Sequence, residues 1–138
     1  MNCKRYFIGS LVVFVVLFAL EFLVHAVIFK GMYSEHLELM RPQAESGSFA
    51  WAMILGFLIL AFGFCFIFIK GYQGKGVAEG IRYGLYIGVT FSISTNLTTY
   101  AIFPLPGAWI LAWCIYYPIL SMILGAIFAA IYKPATAQ

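Results

Sequence analysis

Four stretches of this chain are long and apolar enough to cross a membrane as helices: residues 6–29, 49–69, 81–103 and 108–132. A helix needs about 20 mostly apolar residues to span a hydrocarbon core, and inside that core each backbone N–H and C=O must find its partner within the protein. The two conditions predict an all-α fold, an integral membrane four-helix bundle. The four runs take up most of the 138 residues, so residues 1–138 are expected to form one transmembrane domain. Composition agrees, with 64% hydrophobic and 9% charged residues, against about 45–50% apolar in soluble domains.

The first run follows Lys4-Arg5, as the core of a signal peptide would. It is far longer than the roughly 7–15 residues of such a core, and no small-x-small cleavage site follows, so it is expected to remain as a spanning helix. In a four-span topology Lys4, Arg5, Lys70, Lys75, Arg82 and Lys133 fall on one side and only Lys30 and Arg41 on the other. The excess of Lys and Arg in cytoplasmic segments then puts both termini in the cytoplasm. The net charge of +3 is spread too thinly for a phosphate footprint, so no nucleic-acid partner is expected.

The first connection, Lys30 to Ser48, is the sizeable one. Tyr33, Leu37 and Met40 recur at helical spacing, with Glu35 and Glu38 on another face, which predicts a short interfacial helix over 33–40. It should stop before Pro42, and Gln43 to Ser48 reads as a turn. The glycine-rich GYQGKG of residues 71–76 and the PLPG of residues 104–107 are short, which predicts that helix two packs against three and three against four.

Gly76, Gly80, Gly84 and Gly88 recur at every fourth position and are followed by Ser92 and Asn96. A stripe of small residues lets another helix backbone come close in lipid, where burial of apolar surface does not drive association. It serves either as a packing face within the bundle or as a face for a homodimer or larger membrane complex.

The other oddity is LEFLVHAVIF, residues 20–29, which carries Glu21 and His25 in an apolar run. Four residues apart, they share a helix face. The midpoint of the run is near residue 17 or 18, so Glu21 lies about 5 Å beyond the midplane at a rise of about 1.5 Å per residue. The outer half of helix three holds Ser92, Ser94, Thr95, Asn96, Thr98, Thr99 and Tyr100; that of helix four holds Trp109, Trp113, Tyr116, Tyr117 and Pro118. These placements predict a polar cavity opening outward, lined by helices one, three and four, with Glu21, His25, Ser92, Asn96, Thr99, Tyr100, Tyr116 and Tyr117 as candidate ligand or proton-site residues. An ionisable residue in a span is a functional-site candidate. Glu21 would titrate with His25 as relay, or else would hydrogen-bond to Asn96, a tyrosine or His25 to fix helix packing.

The remaining features need no chemistry. Cys3, Cys65 and Cys114 form no C-x-x-C, His25 and His36 lack a metal spacing, and no cofactor is called for. Trp109, Trp113, Tyr116 and Tyr117 read as an outer aromatic belt. Pro118 is expected to kink helix four and free a carbonyl. Asn96-Leu97-Thr98 matches a glycosylation sequon but lies within a span. Glu79 suits the positive end of the helix-three dipole.

The stretches EFLVHAVIF, MYSEHLELMRP, GKGVAEGIRYGLYIG and FPLPGAWILAW resemble a group of small bacterial four-span membrane proteins. The resemblance implies a multi-pass protein of the bacterial inner membrane and supplies no activity. In outline the chain is also similar to the small multidrug resistance transporters, short four-span proteins with a glutamate in the first span that exchanges protons and cations. Glu21 matches that position, while His25, standing where a small residue is expected, and the longer outer loop depart from the pattern.

Three readings of function follow. The first is a non-enzymatic accessory or interaction protein, with lipid and a membrane complex as partners. The second is a small proton- or cation-coupled transporter using Glu21 and His25. A membrane enzyme or lipid- or quinone-binding protein comes third, because no catalytic set of residues is present.

Overall fold

The computed structural model describes residues 2–134, and among them every regular element is helical. Three helical stretches are long and apolar enough to cross a membrane: Cys3–Ile28, Leu37–Gly71 and Gly107–Ile131. The first comprises α1 (Cys3–Leu23) and a π-helical turn, Val24–Ile28; the second ends in α4 (Ala50–Gly71); the third is α7 (Gly107–Ile131). The expected third span is a helix too, built of α5 (Val77–Ile87), a π-helical segment (Gly88–Ile93) and α6 (Ser94–Ile102). It has the length of a span. Its serines, threonines, asparagine and glycines make it less apolar than the other three.

The chain begins with Asn2 capping α1, its side chain accepting from Arg5 N–H at 3.2 Å. Arg5 in turn donates from its guanidinium to the Ile131 carbonyl at 2.9 Å, a cation set at the negative end of α7. The start of α1 and the end of α7 therefore lie at the same end of the molecule. The 72–76 turn lies there as well, since the Tyr72 and Tyr132 rings are 5.7 Å apart.

α5 packs closely along α7. An added Cβ would strike the Gly125 carbonyl at Gly80 and the Ser121 carbonyl at Gly84, and at Gly88 would fall 2.6 Å from Pro118 Cα. Gly125 answers from the other side, facing Gly80. Gly76 does not belong to this packing face: it precedes the helix with φ +67° and has open space around the site of a Cβ. Its role is the left-handed turn into α5, a conformation glycine adopts without steric cost. Glu79 fixes that turn, its carboxylate accepting from the backbone N–H groups of Gln73 (2.6 Å) and Lys75 (2.8 Å).

The core lies between α1, α4 and α7, where Val13, Leu17, Cys65, Phe68 and Phe128 are buried. Helix two does not lie flush against helix three. α4 buries only Ala61, Phe64, Cys65 and Phe68, all in its second half, while residues 51–60 are exposed except for half-buried Phe57. α4 and α5 meet chiefly through Tyr83, whose hydroxyl donates to the Phe64 carbonyl at 2.7 Å and whose ring lies 4.7 Å from that of Phe64. The glycines of the 71–76 connection allow a reversal without forcing the helices together.

The outer connection also differs from expectation. In place of one helix over 33–40 there are α2 (Lys30–Ser34) and a 3-10 turn, Leu37–Leu39, broken at His36, whose φ of −140° is not helical. Gln43 to Ser48 is not a simple turn: α3 (Gln43–Ser46) and a 3-10 turn lead from Pro42 into α4. Proline excludes the helical region for the residue before it but suits the approach to a new helix. α7 continues through Pro118 without interruption.

Candidate ligand cavity

The separation of α4 from α5 leaves a cavity of about 670 Å³. Its walls are mostly apolar, with Phe57, Leu60 and Phe64 of α4 facing Ile87 and Phe91 of the third helix. Its polar groups are Glu21, Tyr83, Ser92, Thr95, Asn96, Tyr117 and Ser121. Helix two therefore forms a wall alongside helices one, three and four, and the cavity is a mainly apolar cleft rather than the polar, outward-opening one that the sequence predicts. Among the described residues that line it, Glu21 is the one acidic side chain and there is no Lys or Arg.

Glu21 is about nine-tenths buried. Its Oε2 lies 3.4 Å from His25 Nε2, while its Oε1 is buried and has no hydrogen-bond partner. The Tyr116 hydroxyl, likewise buried, is the neighbouring donor that faces this carboxylate.

Behind His25 runs a chain of hydrogen bonds. The Trp113 indole N–H donates to the Tyr33 hydroxyl oxygen at 2.9 Å, and the Tyr33 hydroxyl lies 2.6 Å from His25 Nδ1. An indole N–H can only donate, so the Tyr33 oxygen accepts from it and its own proton is directed to Nδ1. The neutral imidazole consistent with that arrangement carries its hydrogen on Nε2, which faces Glu21 Oε2 and, at 3.4 Å, the Tyr117 hydroxyl. This tautomer is assigned from the network, since hydrogen positions follow from the partners. Trp113 and Tyr33 both donate towards His25, whose Nε2 lies beside the Glu21 carboxylate.

Two π-helical turns adjoin this arrangement. His25 sits in the first, where Phe29 N–H reaches back five residues to the Val24 carbonyl at 2.7 Å. Gly88, Phe91 and Ser92, which line the cavity, sit in the second. Single π turns are frequent at functional sites.

Glu21, Ser92, Asn96 and Tyr117 thus line one cavity, with Asn96 Nδ2 donating to Ser92 Oγ at 3.2 Å. His25 and Tyr116 stand beside Glu21 without lining the cavity. Thr99 is half-buried outside it, and Tyr100 is 51% exposed, so neither belongs to the site. Positions 99 and 100 lie on Asn96's side of the helix but one turn farther along it, beyond the last residue of that helix that lines the cavity. Tyr33 and Trp113 were missed by sequence reasoning. Tyr33 follows α1 at helical spacing from His25, a signal that could have placed it, but Trp113 is indistinguishable in sequence from an interfacial anchor. Trp109 is buried rather than belt-like, its indole donating to the Met32 carbonyl at 3.3 Å.

Comparison with protein-family models, curated proteins and solved structures gives no match to this chain.

Proposed function

We propose that this chain is a four-span protein of the bacterial inner membrane, with both termini in the cytoplasm, and that it binds a membrane-dissolved amphiphile without catalysing a reaction. The single observation that carries the reading is a mainly apolar cavity of about 670 Å³ lined by one buried acidic residue, Glu21, and a few polar side chains. Ligand pockets of about 300–1,000 Å³ with apolar walls and a few placed polar groups have this character. The four-span topology rests on the length of the third helix and the distribution of Lys and Arg; the bacterial assignment rests on the family resemblance.

Gly63 lines the cavity, with open space where its Cβ would be, so Gly63→Phe should fill the cavity without disturbing packing. Native mass spectrometry of purified wild-type protein should detect a co-purifying amphiphile that Gly63→Phe lacks. Equal amphiphile content in both proteins would refute the reading. The transporter alternative would use the same carboxylate; Glu21→Gln would then abolish substrate-driven proton flux in proteoliposomes.

A further inference from the structure

A second pocket, of about 310 Å³, lies at the end of the molecule where α1 starts and α7 finishes, the opposite end of α1 from Glu21. It sits between the last turns of α4 and α7 and is lined by Ile69, Lys70, Tyr72, Tyr132 and Pro134. Tyr132 is only 3% exposed, packed against the rings of Phe128 at 5.5 Å and Tyr72 at 5.7 Å, yet its hydroxyl has no hydrogen-bond partner among the described residues. Side-chain polar groups on residues so deeply buried are ordinarily bonded. Charge at this end is lopsided: Lys4, Arg5, Lys70, Lys75, Arg82 and Lys133 stand against one acid, Glu79, whose two oxygens already accept from the Gln73 and Lys75 N–H groups. None of these cations forms a salt bridge among the described residues. The C-terminal ends of α4 and α7 each bring roughly half a negative charge, which Lys70 and Arg5 offset, and the remaining cations leave this end positive.

We infer that this pocket binds the phosphate head of an anionic phospholipid from the adjoining leaflet, with Lys70 pairing the phosphate and the Tyr132 hydroxyl donating to one of its oxygens. The phosphate is lipid-borne because the pocket lies where two helices of membrane-spanning length end, so a lipid head reaches it without leaving the bilayer. Basic pockets between spanning helices hold anionic head groups in this way, and a hydroxyl bonded to a charged oxygen makes a stronger hydrogen bond than to a neutral one. The inference uses only the spanning helices and is independent of what fills the cavity beside Glu21.

The test titrates the full-length protein with phosphatidylglycerol or phosphatidylcholine of the same acyl chains and reads bound lipid by native mass spectrometry. Wild-type protein should bind phosphatidylglycerol at least about tenfold more tightly than phosphatidylcholine, whose phosphate is neutralised by its own choline. Lys70→Ala should weaken phosphatidylglycerol binding about fivefold, the contribution of one basic side chain at a membrane surface. Tyr132→Phe, which keeps the ring, should weaken it about tenfold, as for one hydrogen bond to a charged group. Arg82→Ala removes the same charge from the exposed side of α5, outside the pocket, and should cost less than about twofold because solvent ions screen it. Gly63→Phe should bind like wild type, so this site and the cavity stand or fall separately. Equal binding of the two lipids, or an Arg82→Ala loss as large as that of Lys70→Ala, would overturn the inference in favour of unselective lipid contact or a diffuse positive field. Displacement of the lipid by inorganic phosphate, but not by chloride at equal ionic strength, would overturn it in favour of a site for free phosphate.

Discussion

Gly84→Ala tests the packing that holds α5 on α7. A methyl group there would lie 2.5 Å from the Ser121 carbonyl carbon and 2.7 Å from Met122 Cα. Carbon atoms sit comfortably at about 3.5–4.0 Å, so the two helices must separate locally by about 1 Å. The obstructing atoms are backbone, so no side-chain rotation can absorb the change. A gap of about 0.5–1 Å forfeits a quarter to a half of each dispersion contact across it, and overpacking alone costs about 1–3 kcal/mol. The expected loss is about 3 kcal/mol, or about a hundredfold in the unfolding equilibrium. Gly56→Ala is the control. Gly56 is also helical but has nothing within 4 Å of an added Cβ, so the gain of about 1 kcal/mol from replacing a helical glycine is common to both variants and cancels. Titration of purified protein with SDS in mixed micelles, followed by tryptophan fluorescence, should unfold Gly84→Ala at a much lower SDS fraction than Gly56→Ala. Equal midpoints would refute the close-approach argument.

Tyr33→Phe removes both the donor to His25 and the acceptor for Trp113, and should cost about 1–3 kcal/mol in the same titration; an unchanged midpoint would mean that the outer loop is not held by this chain. Glu79→Ala should raise amide exchange at Gln73 and Lys75 by about tenfold or more, because both N–H groups lose a charged acceptor; unaltered protection would contradict the role given to Glu79. Glu38 is held below the usual carboxylate range by its own backbone N–H and by His36. A depressed folded pKa means that the contribution to loop order is present above the ordinary carboxylate pKa and is lost as pH falls through the lowered value. An NMR titration should therefore place Glu38 below the ordinary carboxylate range, and His36→Ala should raise it; a Glu38 titration unchanged by His36→Ala would remove the histidine from the account.

The helical class, the three most apolar helices and the value of Gly80, Gly84 and Gly88 as a close-packing face were all legible, because each follows from a local property of the sequence: apolar length for the helices, side-chain size for the glycines. Glu21 stood out for the same reason, as a charge within an apolar run. The splay of α4 was not legible. An apolar helix surface reads the same whether it faces lipid, a cavity or another helix, so nothing in residues 51–60 distinguishes an exposed half from a packed one. Loop length likewise limited how far the helices could separate without setting how near they come. The break at His36 and the pairing of Tyr33 with Trp113 depend on contacts between segments some eighty residues apart, which periodicity along one segment does not encode.

Spacing of four residues around a helix of 3.6 per turn advances about 40° too far at each step. From Gly80 to Asn96 is four such steps, so in an uninterrupted α-helix the two residues would point about 160° apart, one towards α7 and the other nearly away from it. Yet Gly80, Gly84, Gly88 and Asn96 are all buried. The π-helical segment Gly88–Ile93 intervenes, and its wider turn, which closes hydrogen bonds over five residues instead of four, fits more residues into each revolution and turns part of that drift back. It acts as a phase correction between two halves of one rod, joining a steric code written in glycines to a polar code written in serine and asparagine so that both address the inside of the same protein.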